Sequence, residues 1–321
     1  MYSRPTITKG QHPIETGNYY LPTNAIIELY AVVNRWISNR SPGGIVYGRP
    51  RLGKTRAIRY LEVYLQQEFG ENLPIFKMLC THHKPNENRF YMDLLRDIGH
   101  SAYNQGKAEI KRDRLIKFFI ERAESSGHHK IILFIDDAQM LYEEDYNWLM
   151  DIYNQLDRCG ITMTVILVGQ EELLHQKSAF ISTRKMQIIG RFMVHEHKFS
   201  GVKTVEDLAV CLQGYDETSE YPTDSRCSYT RYFFTEAFED GCRFVEEAQS
   251  IFSRFEELRA AARIRGPIEI PMQYITLTID NCLKIFGSNG QGVHWPNLDN
   301  WDEAIRASGY IEAEIYNSMF K

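Results

Sequence analysis

A glycine-rich segment that ends in lysine and threonine has the most specific chemistry in this sequence. It reads Gly48-Arg49-Pro50-Arg51-Leu52-Gly53-Lys54-Thr55 and fits the pattern G-x-x-x-x-G-K-[ST]. In this pattern the glycines let backbone N–H groups surround phosphates, the lysine reaches the β and γ oxygens, and the threonine hydroxyl ligates Mg²⁺. The segment predicts a nucleotide site that includes all of these residues, with Thr55 as a metal ligand.

A pair of carboxylates follows a continuous apolar run further along the chain. Residues 131–135 are typical of a buried parallel strand, and Asp136 and Asp137 come directly after them. The C-terminal end of such a strand faces the nucleotide, so we expect Asp136 to hold Mg²⁺ and Asp137 to polarise the attacking water. An Asp-Asp pair in this position is also typical of a turn or a helix N-cap. The phosphate-binding pattern favours the catalytic interpretation.

A further apolar strand is predicted at 162–169, and a polar residue follows it. Gln170 would then lie beside the γ-phosphate, and we interpret it as a sensor of that phosphate. The next two residues, Glu171 and Glu172, are equally typical of a helix N-terminus, where acidic side chains are common. We therefore leave them out of the site.

The spacing of apolar residues predicts the elements that position these side chains. Residues 45–47 form a β-prone run before the phosphate-binding loop, and apolar residues recur at helical spacing over 54–69. Another β-prone run covers 193–199. The chain therefore has the pattern of an α/β fold, in which a parallel sheet is flanked by helices, and it continues after residue 201 with mainly helical periodicity.

Composition limits the class of protein and its compartment. The chain has 321 residues, 43% of them hydrophobic, which is enough for a sizeable core. Its six cysteines include no C-x-x-C pair, so we expect neither a zinc site nor a disulfide framework. No apolar run approaches the length of a membrane span, and we expect a cytoplasmic protein without a membrane partner. A formal charge of -5 argues against a uniformly basic nucleic-acid binder.

The order of the motifs resembles that of AAA+ ATPases, and more narrowly that of the TnsC/TniB/MuB transposition regulators. The resemblance covers about 42–199 and rests on the phosphate-binding loop, Asp-Asp-Ala-Gln, Val-Gly-Gln-Glu-Glu-Leu and Gly-Arg-Phe. It implies an AAA+ P-loop core with a helical C-terminal lid, and an ATPase that uses ATP and Mg²⁺. It also implies a homo-oligomer, a ring or helical filament, on double-stranded DNA. The partners it implies are a transposase and a target-selection protein.

The same resemblance assigns roles to two arginines. Arg191 would be an arginine finger that reaches the γ-phosphate bound by a neighbouring subunit, with Arg184 as the other candidate. Either arginine could instead be a cation at a helix C-terminus. Arg243 resembles the lid arginine that senses the nucleotide. The family usually has Glu where this chain has Asp137, and because aspartate is one methylene shorter we expect slow hydrolysis.

A basic stretch between a predicted core strand at 75–80 and the strand that ends at Asp136 is the best local indication of DNA contact. A helix over this stretch could present Lys107, Lys111 and Arg114 to phosphates as a stripe. Judged from these residues alone, a charged, solvated helix face explains the pattern better, because apolar residues on the same helix already account for its periodicity. The resemblance favours DNA contact, and it adds Asn88 and Arg89 to the predicted DNA-binding residues.

These placements predict four parts of the chain. They are an N-terminal arm and helix at 1–44, the ATPase core at 45–201, a helical lid region with an insertion at 202–286, and a C-terminal tail at 287–321. Residues 287–299 are rich in glycine and asparagine, and we expect this part of the tail to be extended and to face a partner. The alternative to a DNA-bound regulator is a signalling or remodelling ATPase that acts on protein partners without DNA.

Overall fold

The computed structural model describes residues 4–319, so residues 1–3 of the predicted arm and 320–321 of the predicted tail lie outside it. The chain divides into two compact units. One, which we call the ATPase unit, comprises residues 28–50 and 54–199. The other, which we call the helical unit, comprises residues 4–27, 51–53 and 200–319 of the described chain.

A five-stranded parallel sheet forms the centre of the ATPase unit, with strand order β2-β3-β4-β1-β5. The strands are β1 (Gly43–Tyr47), β2 (Ile75–Leu79), β3 (Lys130–Asp136), β4 (Thr162–Gly169) and β5 (His195–Lys198). The three central strands are apolar and largely buried, whereas the edge strands β2 and β5 are more exposed. A strand covered on both faces needs apolar side chains at every position, which explains the continuous apolar runs in the sequence.

Helices account for most of the remaining chain. In order they are α1 (Pro13–Thr16), α2 (Asn24–Ser38), α3 (Lys54–Phe69), α4 (Glu87–Asp97), α5 (Ala108–Ser126), α6 (Glu143–Arg158), α7 (Glu172–Ser182), α8 (Met186–Ile188), α9 (Val205–Gln213), α10 (Tyr229–Phe233), α11 (Thr235–Glu239), α12 (Ala248–Ala261), α13 (Met272–Phe286), α14 (Leu298–Ala307) and α15 (Tyr310–Met319). Among residues 4–319, none of these helices is both long and apolar enough to cross a membrane.

The predicted α/β fold with a parallel sheet is confirmed. The last predicted strand is shorter than expected, because β5 begins only at His195 and residues Ile189–Met193 form a π-helical turn. Phe192 and Met193 are fully buried in that turn, in the same core as the apolar residues of β3 and β4. Met193 and Val194 therefore do not join the strand, and Met193 packs into this core instead.

Aromatic side chains dominate the core of the helical unit, and the predicted tail contributes to it. Trp295 packs against the rings of Phe234 and Phe244 at centroid distances of 5.5 and 5.1 Å. Trp301, in α14, is fully buried. The segment 287–299 turns at residues 288–291 and packs Val293 and Trp295 against this core, so it is not extended throughout. Most of its other residues are exposed, and its contact with a partner stays a prediction.

His12 anchors the N-terminal segment in the same unit and is only 1% exposed. Its Nδ1 accepts the backbone N–H of Ile14 at 3.1 Å, so it caps α1. Four aromatic rings surround the imidazole: Tyr221, Tyr229, Tyr232 and Phe233. Burial lowers the pKa of His12 to about 4, with Glu15 opposing the shift and Arg4 adding to it.

We expect His12 to make the helical unit less stable in acid. Because its pKa falls from 6.5 in the unfolded chain to about 4 in the folded chain, the unfolded chain binds more protons between these values. Stability should then decrease as pH falls, by at most about 1.4 kcal/mol per pH unit. Urea unfolding between pH 7.5 and 5 measures this slope. His12→Asn should reduce it, and His82→Asn, at an exposed histidine, should not. Equal slopes in all three proteins would contradict the prediction.

Candidate nucleotide-binding and catalytic site

The phosphate-binding loop connects β1 to α3, and Lys54 is the first residue of that helix. Its Nζ donates to the carbonyl oxygens of Gly48 and Arg49, at 2.7 Å each. Gly53 has φ +97°, a conformation that glycine adopts without strain. Burial lowers the pKa of Lys54, and the carboxylate of Asp136 opposes that shift. The loop thus holds an ammonium group at the N-terminus of a helix, where phosphate oxygens are favourable ligands.

The other residues of the loop differ in what they can offer a nucleotide. Pro50 is exposed, Arg49 is half-buried, and Leu52 is buried, so Leu52 can contribute only backbone. Arg51 has φ +67° and donates a side-chain hydrogen bond to the Tyr274 hydroxyl. The prediction that every residue of the loop contacts nucleotide therefore depends on the backbone N–H group at Leu52, and Pro50 has no N–H group to donate.

Thr55 and Asp136 meet at the carboxyl edge of the sheet. The threonine hydroxyl donates to the aspartate Oδ2 at 2.6 Å. Burial raises the pKa of Asp136, while the hydrogen bonds from Thr55 and from the Asp137 backbone oppose the shift. A hydroxyl and a carboxylate are the oxygen ligands that suit Mg²⁺, and a bound cation would compensate for the burial of this carboxylate. The two residues fit the predicted metal-binding role.

Asp137 follows β3 in a left-handed conformation, with φ 52°. Its backbone N–H donates to Asp136 Oδ1 at 3.0 Å. Its own Oδ1 accepts from Gln139 Nε2, also at 3.0 Å. A non-glycine residue in this region costs free energy and is often found at functional sites. The turn after β3 therefore aims two neighbouring carboxylates in different directions.

Gln170 follows β4, which pairs in parallel with both β3 and β1. Its backbone N–H donates to Gln139 Oε1 at 3.1 Å. Gln139 therefore links the turn that carries Asp137 to the turn that carries the predicted sensor. The sequence alone does not assign a role to Gln139. One amide can reach both turns only because β3 and β4 are neighbours in the sheet.

Arg191 lies in the π-helical turn and is half-buried. Its guanidinium donates to Asn154 Oδ1 at 3.1 Å and lies 5.6 Å from the ring centroid of Tyr153. Arg184, the alternative, is exposed and has φ 59°. An arginine finger acts on a neighbouring subunit, so its assignment to Arg191 stays a prediction.

Arg243, the predicted nucleotide sensor, is bound within the helical unit. Its guanidinium donates to the carbonyl oxygens of Phe238 and Cys242 at 2.7 Å each. It also lies 3.5 Å from the centroid of the Phe238 ring. These contacts fix the side chain beside α11, and its role as a sensor also stays a prediction.

The predicted DNA-binding stripe on α5 is wrong at Lys111. This lysine is only 2% exposed, and its Nζ donates to Asn88 Oδ1 at 2.9 Å. The reason is the helical period, since Lys111 lies one turn before Leu115 on the face of α5 that packs into the core. Arg114 is half-buried and donates to the carbonyls of Ala102 and Gln105 at 2.7 and 2.8 Å. Its side chain thus already has backbone partners.

The other three predicted DNA-binding residues are exposed. Lys107 precedes α5, and its side chain makes no capping bond. Arg89 forms an ion pair with Asp93 at 3.3 Å, yet 46% of its side chain is exposed. Asn88 is exposed as a residue, although its Oδ1 accepts from Lys111. Any contact with phosphates would therefore depend on Arg89 and Lys107.

This chain is similar to known proteins in part of its sequence and in its fold. Residues 39–176 match a protein family described as AAA domain. The chain matches no curated protein sequence. The ORC2 protein of Aeropyrum pernix, solved as ADPNP-ADP complexes, has 14% identity and a TM-score of 0.55, and the match covers 92% of this chain and 71% of that one. Drosophila ORC bound to DNA has 13% identity and a TM-score of 0.51, with 98% and 72% covered.

At these identities the two structures are similar to this chain in fold alone. The family match covers the phosphate-binding loop, both aspartates of the β3 turn and Gln170. The strand order and the contact between Thr55 and Asp136 bring the end of β3 to the phosphate-binding loop. Residues 39–176 therefore match an AAA domain, the chain has the AAA+ P-loop fold, and it is an ATPase.

Proposed function

We propose that this protein is an ATP-dependent regulator of transposition, which assembles on duplex DNA and recruits or activates a transposase at the target site. ATP and Mg²⁺ would be its cofactors, and a target-selection protein its other partner. The observation that carries the proposal is the order of motifs within one sheet: the phosphate-binding loop after β1, Asp136-Asp137-Ala138-Gln139 after β3, Gln170 after β4 and Arg191 before β5. That combination resembles the TnsC/TniB/MuB regulators.

Assembly would depend on ATP through Arg191. Arg191 is only half-buried, so part of it is accessible. Its guanidinium also donates a hydrogen bond to the Asn154 amide oxygen. A guanidinium placed on the γ-phosphate of a neighbouring subunit stabilises the charge that develops during phosphoryl transfer. ATP would then favour the oligomer, and hydrolysis would act as a timer for its disassembly.

The test of this proposal is binding to a random-sequence duplex with ATP, with ADP and without nucleotide, followed by electron microscopy of the same samples. ATP-dependent binding without sequence preference, together with regular rings or filaments, would support a transposition regulator. The next step would then be capture of a purified transposase on the assembled DNA. Absence of DNA binding in all three nucleotide states would exclude the proposal.

We expect the double variant Arg89→Ala, Lys107→Ala to weaken DNA binding at every sequence. Each side chain that contacts a phosphate releases about one counterion. The negative slope of log K against log salt should therefore become less steep by about 2 in this variant. Fluorescence anisotropy at several salt concentrations measures both effects. The matched control is Lys284→Ala, Arg306→Ala, which removes two exposed cations of the helical unit. An unchanged slope in the Arg89, Lys107 variant would remove these residues from the DNA site.

A second candidate is an AAA+ signalling or remodelling ATPase that acts on protein partners without DNA. The burial of Lys111 and the backbone partners of Arg114 favour it, because both side chains are used inside the ATPase unit. This candidate predicts that ATP turnover and assembly are the same with and without duplex DNA. The Arg89, Lys107 variant would then retain full function.

A further inference from the structure

One glutamine amide joins the two turns that carry the predicted catalytic groups. Gln139 lies in the short 3₁₀ turn Ala138–Met140 after β3. We propose that Gln139 is a positioning residue for ATP hydrolysis, which orients Asp137 and couples it to the sensor turn at Gln170. The inference rests on the role of Asp137 as the group that activates water.

The hydrogen bonds define which way the amide points. A carboxylate only accepts, so Gln139 must present its NH₂ group to Asp137 Oδ1, where the distance is 3.0 Å. A backbone N–H only donates, so the carbonyl oxygen of Gln139 must face Gln170, at 3.1 Å. Both partners together permit a single orientation of the amide. A side chain that only donates or only accepts could satisfy one of them but not both.

Gly169 provides the space for this amide. A Cβ atom built on Gly169 would lie 2.3 Å from Gln139 Oε1 and 2.8 Å from Leu173 Cδ1. The first distance is far below van der Waals contact, so any larger residue at Gly169 would displace the amide or the strand. The last residue of β4 therefore lets the Gln139 side chain cross from the β3 turn to Gln170.

Gln176 holds the backbone of the same turn from α7. Its Nε2 donates to the carbonyl oxygens of Gln139 and Leu141, at 2.9 Å each. Its Oε1 accepts the hydroxyl of Tyr146 at 3.2 Å, and that tyrosine is fully buried. The backbone around Gln139 is thus tied through Gln176 to a fully buried tyrosine of the core. The Gln139 side chain then connects Gln170 to Asp137 from a fixed backbone.

This link has a consequence for hydrolysis. Asp137 is held in a left-handed conformation, and its carboxylate direction is set by the bond from Gln139. When Gln170 contacts the γ-phosphate, any shift of its backbone N–H also moves the Gln139 amide and the carboxylate bonded to it. The direction of the Asp137 carboxylate therefore depends on the position of the sensor turn.

Gln139→Glu tests the proposal with almost no change in shape. Glutamate still accepts from Gln170, but it cannot donate to Asp137 and it places a second negative charge beside that carboxylate. We expect kcat for ATP to fall by about 100-fold, within the range of misplaced general bases, with KM and ATP affinity within about twofold. Gln67→Glu is the matched control, since Gln67 is exposed on α3. Turnover is measured without DNA, so the result is independent of the proposed role in transposition.

The decisive measurement is a double-mutant cycle with Asp137→Asn. If Gln139 acts through Asp137, adding Gln139→Glu to the Asp137→Asn variant should lower kcat by less than about twofold. The effects of substitutions on kcat are not additive when the two residues act as a unit. The same 100-fold loss in both backgrounds would indicate a merely structural role and overturn the proposal. The proposal would also be overturned if the single variant Asp137→Asn is inactive and the single variant Gln139→Glu is fully active. Full activity of Asp137→Asn would instead refute the role of Asp137.

Gly169→Ala provides an independent variant, because it displaces the amide without changing its chemistry. We expect a loss of kcat similar to that of Gln139→Glu and a circular dichroism spectrum like that of the wild type. A Gly169→Ala protein that is folded and fully active would show that the position of the amide is unimportant, and the proposal would fail.

Discussion

Replacement of Lys54 by alanine is expected to lower ATP affinity by at least about 100-fold and to leave no measurable ATP turnover. The Nζ of Lys54 now donates to the carbonyls of Gly48 and Arg49, at 2.7 Å each. In the nucleotide complex it would donate to phosphate oxygens, and hydrogen bonds to charged groups contribute about 1.5–3 kcal/mol each. Loss of two such bonds corresponds to a factor of about 100 or more in affinity.

Thermal unfolding with and without MgATP measures this effect. The wild-type midpoint should rise with ATP, because a ligand that binds only the folded chain stabilises it. The Lys54→Ala midpoint should not respond to ATP. Without nucleotide the two proteins should unfold within a few degrees of each other, because burial of the ammonium already disfavours its charged form. Lys117→Ala, at an exposed lysine of α5, is the control. A normal ATP response in Lys54→Ala would contradict the assigned nucleotide site.

Asp137→Asn is expected to separate ATP binding from hydrolysis. Asparagine tolerates the left-handed conformation of this residue about as well as aspartate does, so the turn should keep its shape. The amide cannot accept a proton from water, and turnover should fall by about 100- to 10,000-fold, the usual contribution of a general base. ATP affinity should change little, because Lys54, Thr55 and Asp136 are unaffected.

Phosphate release and calorimetric titration with ATP measure the two quantities separately. Asp151→Asn, at an exposed position of α6, is the matched control. The chain has aspartate where the regulators that it resembles in motif order usually have glutamate, so the wild-type rate should itself be low. Single-turnover conditions therefore give the clearer comparison. Wild-type turnover in Asp137→Asn would assign the activation of water to another group.

The chemistry of the nucleotide site could be predicted from sequence because most of it is local. The phosphate-binding loop is a run of consecutive residues, and its glycines, lysine and threonine have roles that depend on backbone geometry over that run alone. The strand before Asp136 is equally local, since a continuous apolar run is typical of a strand buried on both faces. The contact between Thr55 and Asp136 then follows from the parallel sheet.

Charge patterns were less informative because the sequence does not show which face of a helix is buried. Lys111 has the right spacing for a basic stripe, but packing of α5 against the core covers it and pairs it with Asn88. Similarly, the glycines and asparagines of 287–299 indicated an extended segment. Trp295 instead packs against Phe234 and Phe244, because large aromatic surfaces are strongly stabilised by burial.

The sequence by itself determined the fold class, the nucleotide-binding loop and the two aspartates, since each depends on neighbouring residues and on the period of a strand or helix. Only the tertiary structure decided the role available to Gln139 and the loss of Lys111 from the surface. Gln139 bonds to Gln170, 31 positions further along the chain, and the two become neighbours only when β3 pairs with β4. Such contacts depend on which strands and helices pack together, and that arrangement is a property of the whole chain.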